Sequence, residues 1–273
     1  MKQRVIVVGI LILAGIVGWH FRGVVRDLVF ESRRVSLPPA VPYKDDESLR
    51  AKRAKRAERS NPVNIKNVHL QEDKKETKAV VTLPITVNLA VPFTSQAPHG
   101  VWDAAHEQTC EESSVLMADA FFAERGLGGA DAVERELQKM IAWERGRFGY
   151  FEDTTAEETA VMARELFGYK KVEVVYEVTA DDIKHRLAEG VPVILPLYGR
   201  VLGNPFYTAP GPDYHMLVVR GYTADGAFIT NDPGTRHGEA YLYRSDILVN
   251  AIHDWNGGDV VHGRRAMIVM YPN

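Results

Sequence analysis

The chain of 273 residues holds one cysteine, Cys110, in the run His106-Glu-Gln-Thr-Cys110-Glu-Glu-Ser-Ser. A thiol attacks carbon well only once ionised, and the first turn of a helix, with its unpaired amides, favours the thiolate. The sequence puts Cys110 in such a turn. Thr109 and Glu112 have capping-box spacing, and Val115, Leu116, Met117, Ala118, Phe121 and Phe122 then recur at helical spacing up to Gly126. A thiolate needs a base, and the base needs a group to orient it. Tyr214-His215-Met-Leu-Val-Val-Arg-Gly221 reads as a strand beginning at a histidine. Gly226-Ala-Phe-Ile-Thr-Asn231-Asp232 reads as a strand ending in an amide and a carboxylate. The break Thr223-Ala-Asp225-Gly226 predicts a hairpin that draws His215 toward Asn231 and Asp232. Nucleophile, base and orienter then follow in the order Cys110, His215, Asp232, with Asn231 as the alternative orienter. Each also has a plainer reading: a small buried hydrophobe, a satisfied core histidine and an ordinary turn aspartate before Pro233-Gly234.

With these residues in place, the chain resembles the papain-like cysteine peptidases, and among them the double-glycine leader-peptidase type (family C-thirty-nine). The matching pieces are Val91-Pro-Phe-Thr-Ser-Gln96, Gln108-Thr-Cys110-Glu-Glu-Ser-Ser, Leu187-Ala-Glu-Gly190-Val-Pro192, the His215 strand with Gly221-Tyr222, and Asn231-Asp232-Pro-Gly-Thr. The resemblance covers the last two thirds of the chain. It implies an α+β, papain-like fold, with a helix carrying Cys110 packed on an antiparallel sheet carrying His215 and Asp232. It also implies an oxyanion hole built from the Cys110 amide and a glutamine. Two features depart from the family pattern. Glu111 stands where glycine usually follows the nucleophile, with Glu112 next to it. The position six residues before the cysteine, where the family's glutamine falls, is Ala104. Gln96 is the favoured oxyanion residue and Gln108 its alternative. Two acids beside the sulfur oppose a thiolate unless their side chains turn outward, with Glu112 engaged in the cap to Thr109; that outward placement is the expectation.

The elements that must hold these groups follow from the same patterns. Helices are expected over 131–145, 155–167 (a second capping box, Thr155 to Glu158), 179–190 and 245–255. Strands are expected over 172–178, 191–197, 241–243 and 264–271. Pro192 and Pro196 argue for an edge strand or for an early position of the prolines in the 191–197 strand. The Gly- and Pro-rich segment 198–213 is a loop placed to wall the cleft beside His215.

Before this region, Val5–Phe21 is an almost unbroken apolar run between Lys2/Arg4 and Arg22, of a length near the lower limit of a bilayer span. The expected organisation is a signal anchor over 1–31, uncleaved rather than cleaved, then a charged, Pro-containing linker over 32–78, then a catalytic domain over 79–273. Basic residues flank the run on both sides, and the short N-terminal positive region favours export of the domain.

A net charge of −3 argues against a nucleic-acid surface. No histidine has zinc-like spacing, and no Gly-rich phosphate loop follows a strand. The expected protein is a membrane-anchored, extracytoplasmic cysteine peptidase that takes a peptide or protein substrate and needs no cofactor. The alternatives are a catalytically degenerate module binding peptides or wall fragments, and a cell-wall amidase or endopeptidase.

Overall fold

In the computed structural model, which describes residues 36–43 and 83–273, the longest strand is the one that starts beside the histidine. That strand, Tyr214–Tyr222, is buried along its whole length, as its continuous apolar run predicts. The sheet around it is antiparallel and seven-stranded: β1 (Val87–Asn88), β2 (Lys171–Tyr176), β3 (Val193–Tyr198), β4 (Tyr214–Tyr222), β5 (Phe228–Asn231), β6 (Tyr241–Tyr243) and β7 (Ala266–Tyr271). The spatial order is β2-β7-β3-β4-β5-β6, with β1 paired to the end of β4. Gly221 is required there, because a Cβ would lie 2.1 Å from the Val87 carbonyl oxygen. The predicted β4–β5 hairpin forms in the register Val218 to Asn231, with an irregularity between Val219 and Gly221.

The helices are α1 (Cys110–Phe122), α2 (Ala130–Arg147), α3 (Ala156–Glu165), α4 (Ala180–Ala188) and α5 (Ser245–Ala251). α1 packs on β4 and β3, and α2 and α3 pack on α1. The nucleophile helix is therefore buried on all sides, with every residue from Cys110 to Phe122 except Asp119 inside. The mixed architecture, helix on antiparallel sheet, is the one expected.

Three local expectations are corrected. The 191–197 strand is not at an edge: β3 lies between β7 and β4. Pro196 is tolerated because β7 pairs with β3 only at Ile194; past that point no N–H is needed on that side, and the Pro196 carbonyl accepts from the His253 N–H at 3.1 Å. The Thr109–Glu112 capping box does not form. Thr109 Oγ1 instead donates to the Gln96 carbonyl at 3.1 Å and accepts from no helix amide. The box at Thr155–Glu158 does form, as does one at Thr179–Asp182. Finally, part of the expected linker belongs to the domain. Val41 bridges Leu89 in parallel fashion, its N–H bonding the Asn88 carbonyl at 2.7 Å, and Tyr43 is buried.

The described residues from Pro38 to Asn273 form one compact unit. The anchor expected over 1–31 and the linker outside 36–43 fall beyond the described residues. Among the described residues no helix is long and apolar enough to cross a membrane.

Candidate active site

His215 begins β4, and its Nε2 lies 2.8 Å from Asp232 Oδ1, just past the end of β5. Both side chains are almost wholly enclosed, at 2% and 0% exposure. A lone buried carboxylate would take up a proton, so its donors decide its state. Asp232 has five: His215 and the Gly234 N–H on Oδ1, and Tyr207, Tyr243 and Asn204 on Oδ2. The two tyrosine hydroxyls donate at 2.6 Å each. Burial pushes the Asp232 carboxyl upward, but the His215 charge and the hydrogen bonds from His215, Tyr207 and Tyr243 outweigh it and hold the group below the usual carboxylate range. Gly234 is needed at its position because a Cβ would come within 2.9 Å of the imidazole Cε1.

Tyr207 and Asn204 come from the 198–213 loop, whose composition marks it as a loop but carries no sign that it reaches the carboxylate. Tyr207 also meets the imidazole edge-on, with ring centroids 5.6 Å apart. The sequence reading missed these two residues and Tyr243. The alternation of Tyr241 and Tyr243 on β6, next to β5, was the available signal for the last. Asn231, the alternative orienter, is used elsewhere: its amide donates to the Val91 and Pro92 carbonyls, and its oxygen accepts from Arg220 and the Ala240 N–H. It clamps the Val91–Gln96 segment rather than the imidazole.

Cys110 opens α1 as predicted. Its sulfur accepts from the N–H of Met216, the residue after His215, at 3.3 Å. That contact pins the nucleophile helix to the histidine strand. Gln96, 3% exposed, joins the two sides of the site. Its N–H donates to the Pro233 carbonyl at 3.0 Å, and its side-chain Nε2 donates to the His106 carbonyl at 2.7 Å. Its Oε1 is buried without a partner. Gln108 lies in a short 3-10 turn ahead of the helix and is half-buried.

The two acids are not where the sequence reading puts them. Glu111 and Glu112 are 1% and 0% exposed, not turned to solvent, because α1 is covered on the side they occupy. Glu111 Oε2 lies 3.0 Å from Cys110 Sγ, with the thiol donating. Glu111 Oε1 and both Glu112 oxygens have no partner. Glu144 of α2, also fully buried, faces Glu112, and the two carboxyl groups meet no other side-chain donor. It continues the stripe Val133, Leu137, Met140 and Ile141, so an acid at apolar-stripe spacing was the sequence signal for it. Burial above all pushes the Glu111 and Glu112 carboxyls well above the usual range, and repulsion from Glu112 on the first and from Glu144 on the second adds to this. Glu144 rises to about 8 for the same leading reason. Burial, then the charge and hydrogen bond of Glu111, likewise push the Cys110 thiol up, while the Met216 N–H pulls the other way.

No residue of this group lines a surface cavity that lies nearby in the chain. That cavity, about 580 Å³, is lined by Phe93 and Ser95 of the Val91–Gln96 segment together with Pro98, Leu127 and Arg236. Cys110 itself is 5% exposed.

Among solved structures, a putative C39-like peptidase from Bacillus anthracis is similar at 14% identity with a TM-score of 0.46, over 69% of this chain and 98% of that one. A fragment of prointerpain A from Prevotella intermedia is similar at 11% identity with a TM-score of 0.44, over 84% of each chain. No curated protein matches. The model of the Peptidase_C39 like family matches residues 88–257, a span that holds Gln96, Cys110, His215 and Asp232 and more than half of the chain, and the protein belongs to that family.

Proposed function

We propose that the protein is a thiol-dependent hydrolase of peptide (amide) bonds. The observation that carries this reading is the enclosed His215–Asp232 pair, set one residue along the chain from the amide that holds Cys110 Sγ. With Nε2 committed to Asp232, the imidazole keeps Nδ1 for the thiol proton. In the proposed reaction Cys110 Sγ bonds to the substrate carbonyl carbon as its proton passes to His215. The imidazolium then protonates the leaving amine, and water releases the acyl group by the reverse sequence. Asp232, ionised by its five donors, holds the tautomer and balances the imidazolium. The Cys110 amide and Gln96 are assigned to the oxyanion; Gln96 must then release the His106 carbonyl or use its second amide hydrogen.

The test is hydrolysis of protein substrates and of purified wall peptides by the full chain. Turnover that is lost in Cys110→Ala and His215→Ala and blocked by iodoacetamide supports the reading. Unchanged turnover in Cys110→Ala would sink it. A second reading, a peptide- or wall-binding module without turnover, draws on the low exposure of Cys110 and on the upward push on its thiol. Substrate binding with no hydrolysis in the wild type would establish it.

The domain is further proposed to be anchored in the membrane and exported, on the strength of the Val5–Phe21 run. Fractionation finding the mature protein soluble, with its N-terminus beyond Phe21, would remove the anchor.

A further inference from the structure

A carboxylate bonded to a buried thiol looks like an obstacle to catalysis, yet among the described residues no Lys, Arg or His forms an ion pair with Glu111 to keep it ionised. The charged and titratable groups that act on it or on its two neighbours are themselves acids. They are Glu112 on α1, Glu144 on α2, Glu152 and Asp153 in the segment before α3, and Glu158 on α3. On β4 the neighbours are Cys110's own partner Met216, the base His215, and Tyr214, whose hydroxyl donates to the Thr154 carbonyl and to Asp254. Glu112 and Glu144 face each other, and apart from that contact their four oxygens and Glu111 Oε1 are buried without a side-chain donor. Three such groups cannot all be charged in so enclosed a place, and the neutral acid is the form burial favours.

We propose that Glu111 is a positioning residue in the proposed hydrolase, held as the neutral carboxylic acid and donating its O–H to Cys110 sulfur when the thiol ionises. The 3.0 Å contact that carries the thiol proton to Oε2 in one state then runs from Oε2–H to the sulfur in the other. The thiol proton goes to His215 Nδ1, and the sulfur anion accepts from two donors, Glu111 O–H and Met216 N–H. No bond to carbon forms in this step, and one proton moves. A buried acid kept neutral so that it can donate is a known way of stabilising an anion. Glu112 and Glu144 serve this arrangement by adding further acids to the surroundings of Glu111. The peptide-bond reading supplies the purpose of the thiolate, and the Glu111 assignment concerns only how the thiolate is held.

The test is the rate of Cys110 alkylation by iodoacetamide across pH in the full chain, which reads the thiol without any substrate. Glu111→Met, of similar size but without a donor, is expected to lower alkylation at neutral pH about tenfold and move its midpoint up by about one unit. Glu111→Gln, which offers an N–H, is expected to recover the rate to within about threefold of wild type. The infrared spectrum of the wild type should contain a buried carboxylic-acid C=O stretch that is missing in Glu111→Gln. Faster alkylation in both variants would mean that Glu111 carries a charge that opposes the thiolate, and the proposal would fail. Equal rates in all three proteins, or no difference in the C=O stretch, would fail it too. If alkylation behaves as expected while peptides and wall fragments stay intact, the hydrolase reading falls and the Glu111 assignment stands.

Discussion

Asp232 is the residue whose environment is most fully determined, and its predictions follow from counting donors. Tyr207→Phe removes one hydrogen bond that favours the ionised form. Fewer donors mean a higher carboxyl pKa, so the acid limb of the activity profile should move upward. The kcat/KM should fall about tenfold, the scale of one hydrogen bond to a charged group. An unchanged profile would mean that Tyr207 packs without tuning. Asp232→Asn keeps an oxygen for His215 but loses the charge that balances the imidazolium, and activity should fall on the order of 10² to 10⁴ while His215→Ala abolishes it. The depressed folded-state pKa of Asp232 also bears on acid stability. It stabilises the fold above the ordinary carboxylate value, and that contribution is lost as pH falls through the folded value. At this scale the sequence was a good guide to which elements carry Cys110, His215 and Asp232 and a poor guide to what surrounds them. Cys110, His215 and Asp232 were legible because helix start, strand start and hairpin are local patterns. Tyr207 and Asn204 were not, because a loop's path across the sheet is set by long-range packing that no local period records. The sequence favoured Asp232 over Asn231 without showing which of the two faces the imidazole. Neighbours on a strand point to opposite sides, and only the register with β4 decides which side meets the imidazole.

At the scale of elements, the contact between α1 and α2 is the one that departs most from expectation. Helical spacing located both helices. The capping-box spacing at Thr109 led the reading to place Glu112 at the helix end, and only the packing of α2 over that face shows it inside. Two buried carboxyl groups facing each other without other donors are stable together only while they hold a proton between them. Glu144 is raised to about 8, above its unfolded value near 4.5. A raised carboxyl contributes stability that is fully present below the unfolded value and lost as pH rises to the folded one. Stability should therefore fall between about pH 4.5 and 8 by an amount on the order of a few kcal/mol, then level off. Glu144→Gln keeps the shape and can donate to Glu112. It should be more stable than wild type at pH 8 and show a flatter profile, measured by urea unfolding across pH. A variant as steep as wild type would place the proton elsewhere.

On the scale of the whole molecule, the unit begins earlier than its composition announces. Leu37-Pro-Pro-Ala-Val-Pro42 has the look of a stiff tether, and the charged run after it suggested that the fold starts only near Ala79. Instead Val41 pairs with the Leu89 segment, and the Asn88 side chain holds the Pro38 carbonyl at 2.7 Å. Tyr43 stacks edge-on against Phe121 and Phe122, with centroids 5.7 and 5.4 Å away, and Phe122 in turn meets Tyr169 at 6.2 Å. These contacts close over the far end of α1, the helix whose first residue is Cys110. Proline-rich composition reports the extended backbone correctly; it does not report that an extended backbone can also add to a sheet. The consequence is that a chain trimmed to residue 83 loses part of its core. Removing a mostly buried aromatic side chain costs about 2–4 kcal/mol, so Tyr43→Ala in the full chain should lower Tm by roughly 4–16 °C. A chain starting at Leu83 should lose at least as much, since the backbone pairing goes with the ring, whereas Tyr43→Phe should lose little. Calorimetry of the three separates two ideas of this segment. If the chain starting at Leu83 melts with the full-length protein, residues 38–43 lie on the domain without supporting it. If it melts lower by the amount lost in Tyr43→Ala or more, the segment is part of the fold and holds the C-terminal end of the nucleophile helix in place.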